Sequence, residues 1–503
     1  MNHWIIAPIL LPLAAAVLLM FSADRGLRLR RIINLAATLG VLAIAAALLD
    51  STLDGAWQTY AVGAWPAPYG IVLVLDRLSA VMLLLTALVA LFSLLYAVQG
   101  ADAASRHFHA LFQLQLMGLN GAFLTGDLFN LFVFFEILLI ASYGLLLHGG
   151  GGARLHAAMR YVVLNLAGSG LFLIAAGVLY GATGTLNMAD LALRVAAAAP
   201  GGDALIRAGA LLLLVVFGLK AALLPLCYWL PETYSAAAAP AAALFAILTK
   251  VGVYAILRIF TLVFPAAAGD WLLALALGTL ALGTLGALVS RNLRTLACYL
   301  LIASIGTMLA AAGLFNAPGI AAAIYYMAHS TLVTTGLFLL FDLIARQRAA
   351  ARDRLEPAPA VAQPALLGAL FFLAAVAVAG VPPLSGFLGK VLVLQAALAV
   401  PAAAWVWAVV LVTSLLLLIG LSRAGSAIFW KTAAPAALGA ARLPPAAVLP
   451  AALALGTSVL LAVLAGPIGA LAEATALQLL QPAGYIESVL GSDPMIAVTG
   501  TGR

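Results

Sequence analysis

The chain has 503 residues, of which 65% are hydrophobic and 8% are charged, about a third of the charge usual for a soluble globular protein. So few charged side chains cannot cover a soluble surface, which excludes a soluble enzyme. The net charge of +7 is compatible with a nucleic-acid partner, and the positions of the basic residues along the chain decide whether one is indicated.

Apolar segments long enough to cross a bilayer recur along the whole chain. We predict an all-α polytopic membrane protein with about 14 transmembrane helices. The first segment is followed by Arg25 and not by the small-residue cleavage site of a signal peptide. We therefore interpret it as a span that is retained. Only Gly126 and Asp127 separate the fourth segment from the fifth. The predicted segments are residues 5–21, 32–49, 78–98, 108–124, 128–147, 162–180, 205–230, 236–259, 271–289, 296–314, 320–344, 366–397, 403–421 and 446–464.

The two cysteines, Cys227 and Cys298, lie in or beside apolar segments. Their spacing fits neither a metal site nor a disulfide framework, so we expect buried thiols and no bound metal. The glycine run at 149–152 lacks a phosphate-binding pattern and is expected to be a flexible loop.

The basic residues predict the orientation of the chain. If the loop at 25–31 is cytoplasmic, 16 of the 24 basic residues fall in loops on the cytoplasmic side. This distribution follows the positive-inside rule, with both termini outside. It also excludes a nucleic-acid partner, because no compact basic patch with interleaved aromatic residues remains. The five residues assigned to the outer side are Arg77, Arg194, Arg207, Arg258 and Arg503.

Three basic residues, Lys220, Lys250 and Lys390, lie inside predicted spans and have no role in orientation. A lysine near the centre of a membrane helix costs about 2.5–3.5 kcal/mol unless it is paired or hydrated, so such residues usually mark a function. Glu136 and His329 lie inside spans in the same way.

Each of these residues also has a structural interpretation. Glu136 could be a neutral, hydrogen-bonded carboxyl that holds two helices together. The lysines could extend their stems to a hydrated edge. His329 could be a core histidine with its hydrogen bonds satisfied.

Several other carboxylates lie at the ends of spans, where solvated side chains are expected. Asp76 and Asp127 are of this kind. Glu232, beside Pro231, is expected to be exposed. We keep Glu232 and Asp342 as accessory candidates.

Prolines interrupt the seventh and twelfth spans, and each interrupted span contains one of the lysines. Proline removes a backbone donor, and the freed carbonyls are tolerated in a membrane where they line a cavity. Since the two broken spans are five crossings apart, an odd number, helices 4–8 and 9–13 fit an inverted repeat. The interrupting residues are Pro225, Pro231, Pro382 and Pro383.

This repeat predicts four regions. They are N-terminal helices at 1–107, a first repeat unit at 108–260, a second unit at 271–422, and a cytoplasmic loop, last helix and outer tail at 423–503.

The side chains inside the membrane can change protonation but form no nucleophile–base pair, metal cluster or phosphate loop. Burial favours the neutral form of a lysine, whereas a nearby carboxylate favours the charged form. A Glu–Lys pair that forms and breaks would therefore make the lysine hold and release a proton, which predicts a proton relay.

Five motifs around these residues resemble the antiporter-like subunits of proton-pumping NADH–quinone oxidoreductase, membrane-bound hydrogenases and Mrp-type cation/proton antiporters. Shorter signals at 63–70, 420–431 and 484–490 resemble the D subunit of Mrp-type antiporters. The five motifs lie at 135–143, 217–231, 248–254, 327–330 and 386–390.

The resemblance implies roles for the individual residues. Glu136 would be the charge partner of Lys220, Lys250 the central relay, His329 the link between modules and Lys390 the gate on the second broken helix. The position of Lys390 is Glu in some relatives from redox complexes.

The resemblance also implies a subunit of a hetero-oligomer in a bacterial inner membrane. Such a complex uses proton influx to expel Na⁺ or K⁺ and needs no soluble cofactor. Two alternatives stay open: a proton-pumping membrane subunit of a redox complex, and a non-transporting scaffold.

Overall fold

The computed structural model describes residues 2–198, 203–265, 268–433 and 442–491, and within them the fold is helical apart from one two-stranded sheet. Arg503 and the part of the predicted cytoplasmic loop at 434–441 lie outside the described residues. The elements are α1 (Ala7–Phe21), α2 (Leu27–Asp50), β1 (Gln58–Ala61), β2 (Val72–Leu75), α3 (Arg77–Ala97), α4 (Phe108–Leu124), α5 (Leu128–Leu146), α6 (Gly152–Thr183), α7 (Met188–Ala197), α8 (Asp203–Ala221), α9 (Trp229–Ala236), α10 (Ala239–Phe245), α11 (Leu248–Leu262), α12 (Gly269–Val289), α13 (Leu293–Ala312), α14 (Ala317–Gln347), α15 (Pro364–Ala379), α16 (Ser385–Ala397), α17 (Ala403–Gly425), α18 (Pro445–Val463), α19 (Ala465–Leu479) and α20 (Pro482–Leu490).

In the described part of the chain, 11 helices are long and apolar enough to cross a membrane, with α10 and α11 counted together. The shorter apolar helices α1, α15 and α16 add to these. The prediction of an all-α polytopic membrane protein is confirmed. The number of 14 spans and the inverted repeat stay predictions.

Both predicted helix breaks are present. The first separates α8, which ends at Ala221, from α9, which begins at Trp229. The second separates α15, which ends at Ala379, from α16, which begins at Ser385. A further break, not predicted, lies between α10 and α11 at residues 246–247, where the chain forms a tighter turn with bonds from residue i to residue i−3.

The core of the bundle is formed by α11 and α14. Every residue of α11 is buried. The close approach of α11 to α8 depends on Gly252, because a Cβ atom there would lie 2.7 Å from the Phe217 carbonyl oxygen. At the periphery, α2 and α17 bury 33% of their most apolar stretch and so present most of it outward.

One end of the bundle is capped by the two strands and by short helices. Strands β1 and β2 pair antiparallel, with Gln58 opposite Leu75. Isolated bridges join Leu73 to Thr125 and Asp127 to Asn187. Helices α7 and α20 pack together at this end, and α19 and α20 are elements that we did not predict.

Candidate functional site

Lys220 lies in the last turn of α8, directly before the first helix break. Pro225 lies inside the break, and the chain there is anchored by the Leu224 N–H, which donates to Thr279 on α12 at 2.9 Å. The indole N–H of Trp229 donates to the Leu219 carbonyl at 3.1 Å. Carbonyls near the end of α8 thus find partners in protein, as a break inside a membrane requires.

Lys220 is buried, and its ammonium group donates to the Asn165 side-chain oxygen at 3.0 Å. One turn further along α6, the Ser169 hydroxyl donates to the Glu136 carboxylate. Glu136 itself is only partly buried. Helix α6 therefore supplies a separate polar partner to Glu136 and to Lys220, and among the ion pairs of the described residues there is none between these two side chains.

Lys250 lies in the first turn of α11 and is fully buried. Within the described chain its ammonium nitrogen has no hydrogen-bond partner. A cavity of about 20 Å³, room for roughly one water molecule, lies beside Lys220 and is also lined by Leu248 and Val251 of α11. The cavity therefore lies between Lys220 at the end of α8 and the first turn of α11, the turn that carries Lys250.

His329 is buried in the middle of α14. Its Nδ1 lies 2.8 Å from the Ser385 hydroxyl, in the first turn of α16 after the second break. The Ser385 hydroxyl lies in turn 2.8 Å from that of Ser458 on α18. His329 therefore joins three helices through two hydroxyl groups, either of which can reverse its direction of donation.

Lys390 lies on α16 and extends back to the break beside its own helix. Its ammonium group donates to the Ala379 carbonyl at 2.8 Å, to the Val378 carbonyl at 3.3 Å and to the Ser414 hydroxyl at 2.9 Å. The two carbonyls belong to the last turn of α15, where no further helical N–H follows. The carbonyls at the break thus gain a donor, and the ammonium group of Lys390 gains acceptors.

The remaining predicted residues are spread over the ends of helices. Pro231 lies in the first turn of α9, and Pro382 and Pro383 lie in the second break. Glu232 is exposed and pairs with Arg160 at 2.6 Å. Asp342 pairs with Arg294 at 3.0 Å and with Arg346 at 2.9 Å. The structure does not bring Glu232 or Asp342 into contact with the five membrane residues.

The expectation that Asp76 is solvated is wrong. Arg258, which we assigned to the outer side, lies within α11 and is buried. Asp76 is 1% exposed and accepts two hydrogen bonds from Arg258 of α11, at 2.6 and 2.8 Å. Arg258 falls inside the predicted span at 236–259, and that position was the signal for a buried charge. Its partner could not be identified, because α3 and α11 are far apart in the chain.

Sequence reasoning also missed the polar partners Asn165, Ser169, Ser385, Ser414 and Ser458. Asn165 and Ser169 are four residues apart in a span, and this spacing places them on one face of a helix. That spacing was the available signal for the first pair. The other three hydroxyl groups have no comparable pattern.

The model of the NADH:quinone oxidoreductase/Mrp antiporter transmembrane family matches residues 125–418 of this chain. The chain belongs to this family. Within it, the chain is 42% identical to the D subunit of the probable K⁺/H⁺ antiporter of Rhizobium meliloti, over 98% of each protein. It is 37% identical to the D subunit of the Na⁺/H⁺ antiporter of Bacillus subtilis, over 97% of this chain and 100% of that protein.

The fold of this family member is similar to that of a chain in the structure of the Mrp complex from Dietzia sp. DQ12-45-1b. The TM-score is 0.88 at 29% sequence identity, covering 98% of this chain and 100% of that chain. The resemblance to the D subunit of Mrp-type antiporters, predicted from the motifs, is confirmed.

Proposed function

We propose that this chain is the D-type subunit of a multisubunit Na⁺ or K⁺/H⁺ antiporter and that it conducts protons to drive cation efflux. The observation that carries the proposal is the placement of the titratable side chains. Lys220, Lys250 and Lys390 each lie at or beside a helix break. His329, on α14, lies between α11, which carries Lys250, and α16, which carries Lys390. A break inside a membrane is tolerated where it is satisfied by protein or lines a hydrated cavity, which is what a proton path requires.

The proposed path runs from Glu136 through Lys220 and Lys250 to His329 and Lys390. Ser169 and Asn165 would hold the first two residues, and the cavity beside Lys220 would let one water molecule connect α8 with α11. Each charge moved across the membrane contributes about 2.3 kcal/mol per 100 mV, which is the free energy available for expelling a cation. The described residues contain no cluster of three or more His, Cys, Asp or Glu side chains that could hold a metal ion. In this proposal the chain conducts protons and the cation passes through another subunit.

The proposal includes the placement of the chain. We propose a bacterial inner membrane, both termini on the outer side, and two inverted units at 108–260 and 271–422. The two breaks, one in each unit, support the repeat. The partners would be the other membrane subunits of the antiporter.

The experiment replaces Lys220→Ala in the whole complex, reconstituted in inverted vesicles. We expect pH-gradient collapse on addition of Na⁺ or K⁺ to be lost while the complex stays assembled. Lys431→Ala, a matched change at an exposed lysine, should leave exchange unchanged. Normal exchange by an assembled Lys220→Ala complex would support the scaffold interpretation, and gradient formation that needs a redox donor would support the redox one.

A further inference from the structure

A buried polar network lies between the N-terminal ends of α2 and α4, apart from the proposed relay. It is formed by residues of α2, α4 and the 3-10 turn Ala101–Ala104. Five of its six side chains are fully buried, and none has a place in the proposed path. The six residues are Arg31, Asn34, Thr38, Asp102, His109 and Gln113.

The anchor of the network is Asp102. Arg31 donates to both carboxylate oxygens at 2.7 Å, and His109 Nε2 lies 3.1 Å from one of them. Burial alone would raise the pKa of Asp102, but the hydrogen bonds from Arg31 and His109 and the charge of Arg31 lower it from the ordinary 3.8 to about 2. A lowered carboxyl pKa contributes stability above pH 3.8 that is lost only as the pH falls towards 2, so Asp102 stays ionised at pH 6–8.

The other ring nitrogen of His109 faces the side-chain amides of Asn34 and Gln113, which are hydrogen-bonded in series. Asn34 Nδ2 lies 2.7 Å from His109 Nδ1, and because an amide nitrogen only donates, Nδ1 accepts in this arrangement. The Asn34 side-chain oxygen accepts from Gln113 Nε2 at 2.6 Å. The Gln113 side-chain oxygen is buried and has no donor among the described residues.

A proton on His109 Nδ1 would oppose the Asn34 N–H, because both groups would then be donors. Asn34 must turn its amide to present oxygen to the imidazolium, and Gln113 must turn in response. The unpartnered oxygen of Gln113 would then gain the Asn34 donor, and the Thr38 hydroxyl, 3.1 Å from the present Gln113 nitrogen, can reverse and donate to that oxygen. The Gln113 nitrogen would lose the bond that it donates to the Asn34 backbone carbonyl at 3.3 Å, because a carbonyl only accepts. The network therefore has two hydrogen-bonded arrangements, which differ in how α2 is joined to α4.

We propose that His109, Asp102 and Asn34 form a proton-binding site separate from the relay, filled from the face of the bundle where Arg31 is 32% exposed. Histidine is the side chain that most readily changes charge between pH 5 and 8. The other titratable or charged groups here are Arg31 of α2, the exposed Arg106 and His107 before α4, and His148 after α5. The His148 ring packs against Phe108 at 4.7 Å, and its Nε2 donates to the Ala101 carbonyl at 2.6 Å.

The site can act on the relay through α4. A Cβ atom at Gly118 would lie 2.7 Å from the backbone nitrogen of Leu138, and Gly121 contacts the ring of Phe134. These contacts of α4 lie on either side of Glu136 along α5. Since the protonated arrangement gives up the bond from Gln113 of α4 to the Asn34 backbone carbonyl of α2, protonation loosens α4 and lowers exchange. This effect on exchange rests on the proposed function.

The test is the pH profile of cation uptake by the whole complex in inverted vesicles, with equal pH on both sides and saturating Na⁺ or K⁺. We expect uptake by the unmodified complex to fall by roughly threefold or more from pH 8 to pH 6. His109→Gln should match it at pH 8 and lose most of that fall, whereas His107→Gln, at the exposed neighbour, should keep it.

A His109→Gln profile identical to that of the unmodified complex would overturn the proposal. Loss of uptake at every pH by an assembled His109→Gln complex would also overturn it, because His109 would then belong to the conducting path. If His109→Gln does not assemble, Gln113→Leu removes the amide that must turn, and an unchanged profile in that variant overturns the proposal. If the His109→Gln profile is flat but Lys220→Ala exchanges normally, the proposed relay is contradicted and the proton-binding site at His109 is supported.

Discussion

The three lysines inside the membrane differ in the number of acceptors that their ammonium groups have. Lys390 has three, Lys220 has the Asn165 oxygen, and Lys250 has none among the described residues. A buried charge depends strongly on each hydrogen bond that it makes. The loss of Asn165 should therefore affect Lys220 more than the loss of any one acceptor affects Lys390.

We expect Asn165→Leu to reduce exchange by about tenfold to a hundredfold, since a hydrogen bond to a charged group contributes about 1.5–3 kcal/mol. The measurement is cation-induced pH-gradient collapse in vesicles that contain the whole complex. Thr183→Ala is the control, because this buried residue of α6 donates only to backbone carbonyls. Unchanged exchange in Asn165→Leu would show that Lys220 does not depend on this amide.

The lysines were predictable from the sequence because a charge in a membrane helix is costly and therefore rare. Asn165 and Ser385 were not, because neutral polar side chains are ordinary in membrane helices, where they join neighbours by hydrogen bonds. Only the fold shows that one meets a lysine and the other a histidine.

At the scale of elements, the second helix break and Lys390 depend on a glycine. Gly380 ends α15 with φ +76°, a conformation that side chains rarely adopt. A Cβ atom there would lie 2.6 Å from Lys390 Cδ and 3.1 Å from its Nζ. The break therefore needs glycine both for its backbone and to admit the lysine stem.

We expect Gly380→Ala to cost about 1–2 kcal/mol of stability from the backbone and, in addition, to abolish most exchange by displacing Lys390. Gly184→Ala is the matched control. Gly184 ends α6 with φ +72°, and a Cβ atom there would meet only Arg194, at 3.7 Å. Thermal unfolding and exchange of the two assembled complexes should show similar destabilisation and unequal loss of activity, and equal activities would contradict this account of Lys390.

The proline-marked breaks were predictable, because proline lacks the donor that a helix needs. The break between α10 and α11 was not, since residues 246 and 247 are Ala and Ile and carry no such signal. The most apolar stretch of α10 and α11 is fully buried.

At the scale of the whole molecule, the distribution of basic residues predicts which ends of the helices face the cytoplasm. The two native cysteines suit a direct test, because Cys227 is 1% exposed and Cys298 is fully buried, as predicted. The unmodified chain should therefore react little with a membrane-impermeant maleimide.

We expect Arg291→Cys to be labelled in inverted vesicles and protected in intact cells, and Tyr69→Cys to behave in the opposite way. Both residues are exposed, Tyr69 at 88%. The measurement is mass shift or fluorescence of the labelled chain, with the unmodified chain as background. Labelling of both positions from the same side would contradict the proposed orientation.

The sequence by itself determined that this is a polytopic membrane protein, which residues carry charge into the membrane, and where proline interrupts a helix. These are local properties, because hydropathy, the cost of a buried charge and the missing proline N–H act on single segments. Only the tertiary structure decided which side chains meet: Asp76 with Arg258, Asn165 with Lys220, and Asn34 with His109. Such pairings depend on the packing of whole helices, which brings together residues that are distant in the chain and that no short sequence pattern links.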